Sequence, residues 1–341
     1  MLTAVTTGPG EIEIRETRAP VCGQNQALLR VERVGLCGGD FSTYTGKHPY
    51  VRYPQIQGHE FIGLVDALPG DYTGKLAIGD RVAVEPLVSC GTCFPCRRGR
   101  YNCCSQLKVM GAHIPGALAE MVAVPLASLY PVGALDATTA ALIEPMSIGL
   151  QAVERAKVAA GDTVVVLGAG PIGQAVTLGC TDRDARVLAV DQLPARLHLA
   201  ETLGAERTVD TSTQDLVAEV LDWTGGEGAA VVIDATGVPA LIRMSFDLVA
   251  PAGTIVIVGL SLQNVELPII DFTRKELTVL GSRNSAGLFA AAVDLVQRNA
   301  GRLRPLVTHE FPLRAVAEAI EFALANPNEV EKVVIQVGVA T

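Results

Sequence analysis

The sequence contains few aromatic residues and no excess of positive charge. Aromatic side chains account for 4% of its 341 residues, and 27 Lys and Arg stand against 36 Asp and Glu, which gives a net charge of −9. A negative chain repels the phosphate groups of nucleic acids and of anionic lipids. We therefore expect neither nucleic acid nor a membrane as a partner.

Long hydrophobic runs are also missing. The longest apolar stretch, residues 163–179, is interrupted by Gly168, Gly170, Pro171 and Gly173, and it is shorter than the roughly 20 apolar residues that a membrane span needs. Residues 1–10 lack the basic region and apolar segment of a secretory signal. We therefore predict a cytoplasmic protein, and its length predicts about two domains.

The pattern of apolar residues changes near residue 150. Residues 1–150 contain short apolar runs between turn residues, which predict a β-rich domain with strands at 27–34, 60–67, 80–87 and 119–125. Residues 151–286 alternate between strands and helices, which predicts an α/β domain with a doubly wound parallel sheet. Its predicted strands are 163–167, 186–190, 230–234, 253–258 and 276–280, and its predicted helices are 174–181, 194–203 and 239–249. Residues 287–341, with helices at 288–299 and 313–325 and a strand at 332–337, are predicted to return to the first domain.

A glycine-rich turn, in the sequence VVVLGAGPIG at 164–173, follows the first strand of the predicted parallel sheet. Gly168 permits a tight turn, Gly170 lets the backbone approach a pyrophosphate, and Gly173 lets the next helix pack closely. Asp191 stands at the end of the second strand, where a carboxylate accepts hydrogen bonds from an adenosine ribose and repels a 2′-phosphate. These features predict a dinucleotide site that prefers NAD to NADP; the alternative is an ordinary glycine turn beside a surface aspartate.

Five of the eight cysteines lie between residues 90 and 104. In a reducing compartment such clustering indicates a metal site rather than disulfides. Cys90, Cys93, Cys96 and Cys104 form the pattern C-x2-C-x2-C-x7-C, whose four thiolates can close a tetrahedral zinc site without an open position. We predict a structural zinc lobe at about 88–106, with an exchange of Cys103 for Cys104 as the alternative.

A second candidate metal site draws on three distant segments: Cys37 in GLCGGD, His59 and Glu60 in GHE, and Glu144 in LIEP. Thiolate, imidazole and one carboxylate leave a fourth zinc position open for substrate. Zinc with a thiolate and one carboxylate is neutral, so we expect one glutamate to bind directly and the other to act through water. Asp40 is predicted to accept the second ring N–H of His59. The alternative is a buried thiol and a structural histidine.

Together, the motifs GLCGGD, GHE, the four-cysteine segment, LIEP and GAGPIG resemble, over nearly the whole chain, the zinc-containing medium-chain dehydrogenases. The resemblance is to the polyol branch, with its sorbitol, galactitol-phosphate, threonine and sugar-acid dehydrogenases. It implies a GroES-like β-rich catalytic domain and a Rossmann domain, with zinc and nicotinamide meeting in the cleft. It also implies a homo-oligomer, a dimer or tetramer joined through the Rossmann sheet. The sequences GSRN at 281–284 and NCC at 102–104 resemble bacterial enzymes of the galactonate type.

The resemblance also implies roles for individual residues. Cys37, His59 and Glu60 would bind a catalytic zinc, with Glu144 as the nearby carboxylate, and the four lobe cysteines would bind a structural zinc, giving two ions per chain. The residues implied to line NAD, besides the glycine turn, are Ile172, Asp191, Arg196, Val258, Gly259, Leu260, Ser282, Arg283 and Asn284.

Two positions depart from the family pattern of a hydroxyl-and-histidine relay that carries the alcohol proton outward. Gly39 stands where the family usually has Ser or Thr, and Ser42 where it commonly has His. Because Gly39 has no hydroxyl, the relay must differ. The substitutes we consider are Ser42, Thr43 and Tyr44 acting through water, with Glu60 or Glu144 as the base. His48, His113 and His309 are further candidates to line the cleft, each with a structural role as its alternative.

The predicted function is oxidation of a secondary alcohol on a small polyhydroxylated substrate, a polyol or a sugar acid, to a ketone, with hydride transfer to NAD. One alternative is a threonine-type amino-alcohol dehydrogenase. An alternative of another class, a non-catalytic sensor that binds NAD or zinc, follows from the missing hydroxyl at Gly39. A zinc-free reductase fits poorly, because it would have no use for Cys37 and Glu144.

Overall fold

The computed structural model describes residues 1–338, which belong to two compact units. The first unit comprises Met1–Glu144 and the segment that begins at Phe289, and the second comprises Pro145–Leu288. The boundaries predicted from the sequence, 150/151 and 286/287, lie within a few residues of these. Helix Ile143–Ala156 runs through the first junction, so no turn marks the junction in the sequence.

The N-terminal part of the first unit consists mainly of strands. Its elements are β1 (Leu2–Gly8), β2 (Glu11–Glu16), β3 (Gln26–Leu36), α1 (Gly38–Tyr44), β4 (Glu60–Ala67), β5 (Arg81–Val84), β6 (Leu87–Val88), β7 (Lys108–Val109), β8 (Met121–Pro125), β9 (Leu129–Pro131) and α2 (Ala137–Ala140). Helix α3 (Ile143–Ala156) begins in this unit and continues into the second. Strands β1 and β2 form a hairpin, and β3 pairs antiparallel with both β4 and β8. The long strand β3 ends directly before Cys37 and therefore positions the first candidate metal ligand.

One strand predicted from the sequence is divided in the structure. The run 80–87 becomes β5 and β6, because Glu85 and Pro86 interrupt it. Proline has no N–H to donate to a strand ladder. The buried Glu85 carboxylate accepts hydrogen bonds from the hydroxyls of Tyr101 at 2.7 Å and Tyr130 at 3.2 Å. The expectation of one continuous strand is therefore wrong.

The second unit alternates strands and helices throughout. Its elements are β10 (Thr163–Leu167), α4 (Pro171–Thr181), β11 (Arg186–Asp191), α5 (Pro194–Thr202), β12 (Arg207–Asp210), α6 (Leu216–Trp223), β13 (Ala229–Asp234), α7 (Pro239–Leu248), β14 (Val249–Ile257), α8 (Ile269–Lys275) and β15 (Thr278–Gly281). The six strands are parallel, in the order β12-β11-β10-β13-β14-β15. The strand order reverses between β10 and β13, which is where doubly wound sheets bind ligands.

Both faces of this parallel sheet are covered. Val164 and Val166 of β10 pack into one apolar cluster, and Val165 and Leu167 pack into another. Alternate side chains of a strand point to opposite faces, so a strand buried on both sides reads as a continuous apolar run. Helix α4 begins at Pro171, ahead of the predicted residue 174, because proline suits the first turn of a helix.

The chain then returns to the first unit. Its last elements are α9 (Phe289–Arg298), α10 (Ala300–Leu303), β16 (Val307–Pro312), α11 (Val316–Ala325) and β17 (Lys332–Gln336). Strand β17 pairs parallel with β16 and antiparallel with β3, in a seven-stranded sheet. This pairing brings the start of β17 beside the end of β3. Among residues 1–338, no helix has the length and apolar character that crossing a bilayer requires.

Candidate functional site

Cys37 is held at the start of α1. Its Sγ accepts a hydrogen bond from the Gly39 N–H at 3.1 Å, and its own N–H donates to Asp40 Oδ2 at 3.0 Å. These reciprocal contacts form a capping box, with the thiol in the role usually taken by a serine or threonine hydroxyl. The geometry of the helix start therefore fixes where the sulfur points.

His59 is positioned by a close crossing of two backbone segments. Gly58, which precedes it, has φ +94°, and a Cβ on Gly116 would overlap the carbonyl oxygens of Gln57 and Gly58. Only glycine allows this approach. The crossing holds the imidazole so that His59 Nε2 lies 3.1 Å from Cys37 Sγ.

Asp40 lies on the other side of the His59 ring. Its Oδ2 is 3.9 Å from His59 Nδ1, within ion-pair range but longer than a hydrogen bond. Gln57, which the sequence analysis did not single out, donates to the Asp40 carbonyl at 3.0 Å and to Oδ1 at 3.3 Å. Because Nε2 faces the thiol and Nδ1 faces Asp40, this carboxylate is placed to orient the ring.

Glu60 makes a buried ion pair that sequence reasoning missed. Lys332 Nζ donates to its Oε2 at 2.7 Å, to its Oε1 at 2.9 Å and to the carbonyl of Leu36 at 3.2 Å, and both charged side chains are 3% exposed. Burial opposes the charge on Lys332, but Glu60, Cys37 and Glu144 together raise the pKa of its amine. A lysine directly before the apolar residues of the strand KVVIQ was the only signal of this partner in the sequence.

The four predicted ligands influence one another electrostatically. Burial raises the pKa of the Cys37 thiol, whereas Cys37 and Asp40 outweigh burial and raise the pKa of His59 well above its usual value. Burial, reinforced by Glu60 and opposed by His59, raises the pKa of Glu144 to about 7. Cys37, Asp40 and His59 have donor atoms within 4.8 Å of one another, and neither glutamate belongs to that group. A half-buried thiol beside an imidazole is a donor set that suits zinc.

The four lobe cysteines come together as one cluster. The Sγ atoms are separated by 3.4 Å for Cys93–Cys96, 3.5 Å for Cys90–Cys104 and 3.8 Å for Cys93–Cys104. A tetrahedral ion with Zn–S distances of about 2.3 Å requires sulfur separations of about 3.8 Å. The cluster therefore fits zinc. Cys103 is exposed and lies outside the group.

In the second unit, the residues predicted to line NAD lie where parallel strands end. Gly168 follows β10 with φ +89°, and a Cβ on Gly173 would overlap the Gly168 carbonyl oxygen. Asp191 ends β11 and accepts hydrogen bonds from the N–H groups of Ala169, Gln192 and Leu193 at 2.8 to 3.1 Å. Arg196 Nη1 is 3.8 Å from the same carboxylate. Gly170 is the N-cap of α4, and Ile172 lies in its first turn.

The remaining predicted cofactor residues follow the next strands along the same edge. Val258 and Gly259 follow β14 and donate their N–H groups to the Asp234 carbonyl at 2.8 and 3.1 Å, and Leu260 is 95% exposed. Ser282, Arg283 and Asn284 follow β15. Asp234, which no motif in the sequence indicated, has a buried carboxylate that accepts hydrogen bonds from Thr236 and Gly237.

The relay candidates occupy different surroundings. The Tyr44 hydroxyl donates to Glu321 at 2.7 Å, so it is engaged with the C-terminal helix, whereas the Ser42 carbonyl accepts the N–H groups of Lys47 at 2.8 Å and His48 at 3.0 Å. Thr43 is buried. His309 packs against Phe322 with ring centroids 4.8 Å apart, which is a packing role.

The two units match two family models. Residues 23–134 match the alcohol dehydrogenase GroES-like domain, and residues 171–298 match the zinc-binding dehydrogenase model. These matches confirm the predicted fold class, a GroES-like domain with an α/β parallel-sheet domain.

Similar proteins cover almost the whole chain. L-galactonate-5-dehydrogenase of Escherichia coli K12 is 36% identical over 328 residues, 96% of each chain, and sorbitol dehydrogenase of Bacillus subtilis 168 is 31% identical over 342 residues, 98% of this chain and 97% of the relative. An NADH complex from E. coli CFT073, described as a short chain alcohol dehydrogenase, has a TM-score of 0.91 at 31% identity over 99% of both chains. On these grounds, the chain belongs to the zinc-containing medium-chain alcohol and polyol dehydrogenases.

Proposed function

We propose that the protein oxidises a secondary alcohol of a polyol or sugar acid to a ketone, passing the hydride to NAD and releasing a proton. The observation that carries this proposal is the pairing of Cys37 Sγ and His59 Nε2 at 3.1 Å beside buried carboxylates. The second unit of the same chain has a glycine turn and Asp191 at the ends of its strands. The relatives named for galactonate and sorbitol support the substrate class.

In this proposal Cys37 and His59 hold a zinc ion, together with Glu60 or Glu144, and Asp40 orients the imidazole. When bound, zinc lowers the pKa of an alcohol and NAD accepts the hydride. Lys332 changes the charge balance considered above. Zinc at +2 and Lys332 at +1 stand against four anions, Cys37, Asp40, Glu60 and Glu144, so the sum is −1, whereas without the lysine it would be −2. Lys332 therefore offsets half of the excess negative charge that remains when both glutamates are ionised.

The carboxylate of Asp191 supports NAD over NADP. It already accepts three backbone N–H groups, and a fixed negative charge at this position repels a 2′-phosphate while it accepts ribose hydroxyls. Ser42 remains the proposed relay group at the position where the family commonly has histidine, acting through water.

A substrate panel tests the proposed function. The zinc-loaded protein is offered hexitols, pentitols, aldonates and threonine with NAD or NADP, and reduction is followed by nicotinamide absorbance. We expect NAD reduction with at least one polyol or aldonate and a clear preference for NAD. Threonine as the only substrate would replace the proposal by an amino-alcohol dehydrogenase, no reduction at all would refute it, and preference for NADP would contradict the role of Asp191.

We propose two zinc ions per chain, and Cys96→Ser tests the structural one. The variant should lose about one equivalent of zinc, and residues 88–106 should become sensitive to protease, because structural zinc supplies about 10 kcal/mol or more to the folding of small zinc-dependent modules. Metal analysis and limited proteolysis measure both effects. Cys103→Ser is the matched control, since this exposed thiol lies outside the cluster. An unchanged zinc content in Cys96→Ser would contradict the site.

We also propose that the protein is a homo-oligomer joined through the second unit. Strand β15 is at one end of the six-stranded sheet, and four nearby apolar side chains are strongly exposed: Leu260, Leu262, Ile269 and Ile270 at 95, 91, 81 and 62%. An open sheet edge beside exposed apolar surface favours association with a second copy. Sedimentation analysis should show a dimer or tetramer, and a monomer at micromolar concentration would overturn the proposal.

A further inference from the structure

The first unit contains a cavity of about 860 Å³ whose lining includes one arginine and one histidine. Two loops form its walls, residues 49–55 and residues 112–115. Arg52 and His113 lie in this lining, and among the described lining residues there is no Asp or Glu. Arg52 is therefore the one lining residue that carries a full charge, in a chain with a net charge of −9. The local electrostatics therefore favour an anionic ligand.

Both walls are attached to segments that carry the candidate metal ligands. The first loop follows α1, the helix that Cys37 caps, and the Tyr53 hydroxyl donates to the Thr43 carbonyl of that helix. The second loop leads into Gly116 and Ala117, whose N–H groups donate to the carbonyls of Ile56 at 2.8 Å and Gly58 at 2.9 Å. Gly58 directly precedes His59. The cavity is therefore built onto the same framework as the metal centre.

His48 provides an electrostatic measure of this proximity. Burial lowers the pKa of His48, and the charges of His113 and His59 lower it further while Asp40 opposes them. One side chain thus feels both the cavity wall and the metal centre.

Two side chains of the lining, Arg52 and His113, offer hydrogen-bond donors. Within residues 1–338, the exposed Arg52 guanidinium makes no ion pair. His113 Nδ1 accepts the Val109 N–H at 3.2 Å, which leaves the ring proton of the neutral imidazole on Nε2. Next to the lining, His48 Nδ1 accepts the Tyr50 N–H at 3.3 Å in the same way. A guanidinium that can bind two oxygens and an imidazole N–H together suit a carboxylate.

We propose that this cavity binds the anionic end of the substrate, with Arg52 and His113 Nε2–H as donors to its carboxylate, so that the enzyme prefers sugar acids to neutral polyols. The inference rests on the proposed function and specifies its substrate class. A phosphate group shares the chemistry of a terminal anion, and the experiment distinguishes the two. Arg52 is here a specificity-determining residue, and the alcohol end of the substrate faces the metal centre.

Steady-state kinetics of Arg52→Gln and His113→Gln test the proposal. For an aldonate, we expect kcat/KM to fall about tenfold or more in Arg52→Gln, mainly through KM, because a charged hydrogen-bonding partner is lost. For the uncharged hexitol of the same length, kcat/KM should stay within about twofold of the parent value. Arg52→Lys should recover part of the loss by restoring the charge. Arg314→Gln, which removes an exposed arginine elsewhere in the first unit, is the matched control and should change neither substrate.

The outcomes separate this inference from the proposed function. An equal loss of kcat/KM for the aldonate and the hexitol in Arg52→Gln would overturn the inference. The carboxylate assignment would be overturned if a polyol phosphate had a higher kcat/KM than the aldonate and if its kcat/KM were the one that Arg52→Gln lowers. If no substrate reduces NAD, the proposed function fails. Calorimetric measurement of aldonate binding then tests the cavity as an anion site without relying on turnover. Weaker binding to Arg52→Gln than to the parent supports the anion site, and equal binding overturns it.

Discussion

Replacing His59 by alanine should lower kcat/KM about a thousandfold or more. Its Nε2 is 3.1 Å from the Cys37 thiol, and without the imidazole the remaining groups cannot hold a zinc ion in an ordered site. A Lewis acid contributes several kcal/mol to stabilising the transition state, and each 1.4 kcal/mol corresponds to a factor of ten. Initial rates with the preferred substrate and metal analysis measure the loss.

The binding of NADH, followed by fluorescence, should be unchanged in this variant, because the glycine turn and Asp191 belong to the second unit. His198→Ala is the matched control, since its side chain is 80% exposed on a helix of that unit, and it should keep full activity. If His59→Ala retained more than a tenth of the parental kcat/KM, the proposed metal centre would be wrong.

Replacing Lys332 by methionine should lower the free energy of unfolding by about 3–5 kcal/mol. The change leaves the Glu60 carboxylate buried, at 3% exposure, without the amine that now lies 2.7 Å away, and removing one partner of a buried ion pair has a cost of this size. Equilibrium denaturation by urea, with zinc present, measures the change. Lys75→Met, at an exposed position, is the control and should shift the free energy by less than about 0.5 kcal/mol.

The double variant Glu60→Gln with Lys332→Met should recover part of this stability, because it removes the uncompensated charge. The pH dependence has a definite sign. Since folding raises the pKa of Lys332 above its usual 10.5, the stabilisation from this lysine is fully present below that pH and is lost as the pH rises through the higher folded-state value. A Lys332→Met variant as stable as the parent protein would show that the pair contributes little.

Local patterns in the sequence were sufficient to predict part of the site. Cys90, Cys93, Cys96 and Cys104 lie within fifteen residues, so their spacing alone predicted the cluster that the structure contains. The glycine turn was equally local, because Gly168 and Gly173 act through contacts within a single strand–turn–helix segment. In both cases, the residues that act together are close neighbours in the chain.

Other parts of the fold and of the candidate site depend on contacts between segments that are distant in the sequence. Lys332 is 272 positions from Glu60, and the two meet only because β17 lies beside β3 in the sheet. No periodicity in either segment predicts that register. The division of the run 80–87 was missed for a similar reason, because the tyrosine hydroxyls that satisfy Glu85 come from residues 101 and 130.

The backbone crossing beside His59 determines which positions of this protein can accept substitutions. At Gly58 and Gly116 any side chain would collide with neighbouring atoms, so these positions tolerate almost no exchange. In the two loops that line the cavity, residues 49–55 and 112–115, exposed side chains such as Tyr50 and Arg52 carry no such constraint. Laboratory evolution toward new substrates should therefore accumulate its successful changes in those two loops, while the glycines stay invariant in every active descendant.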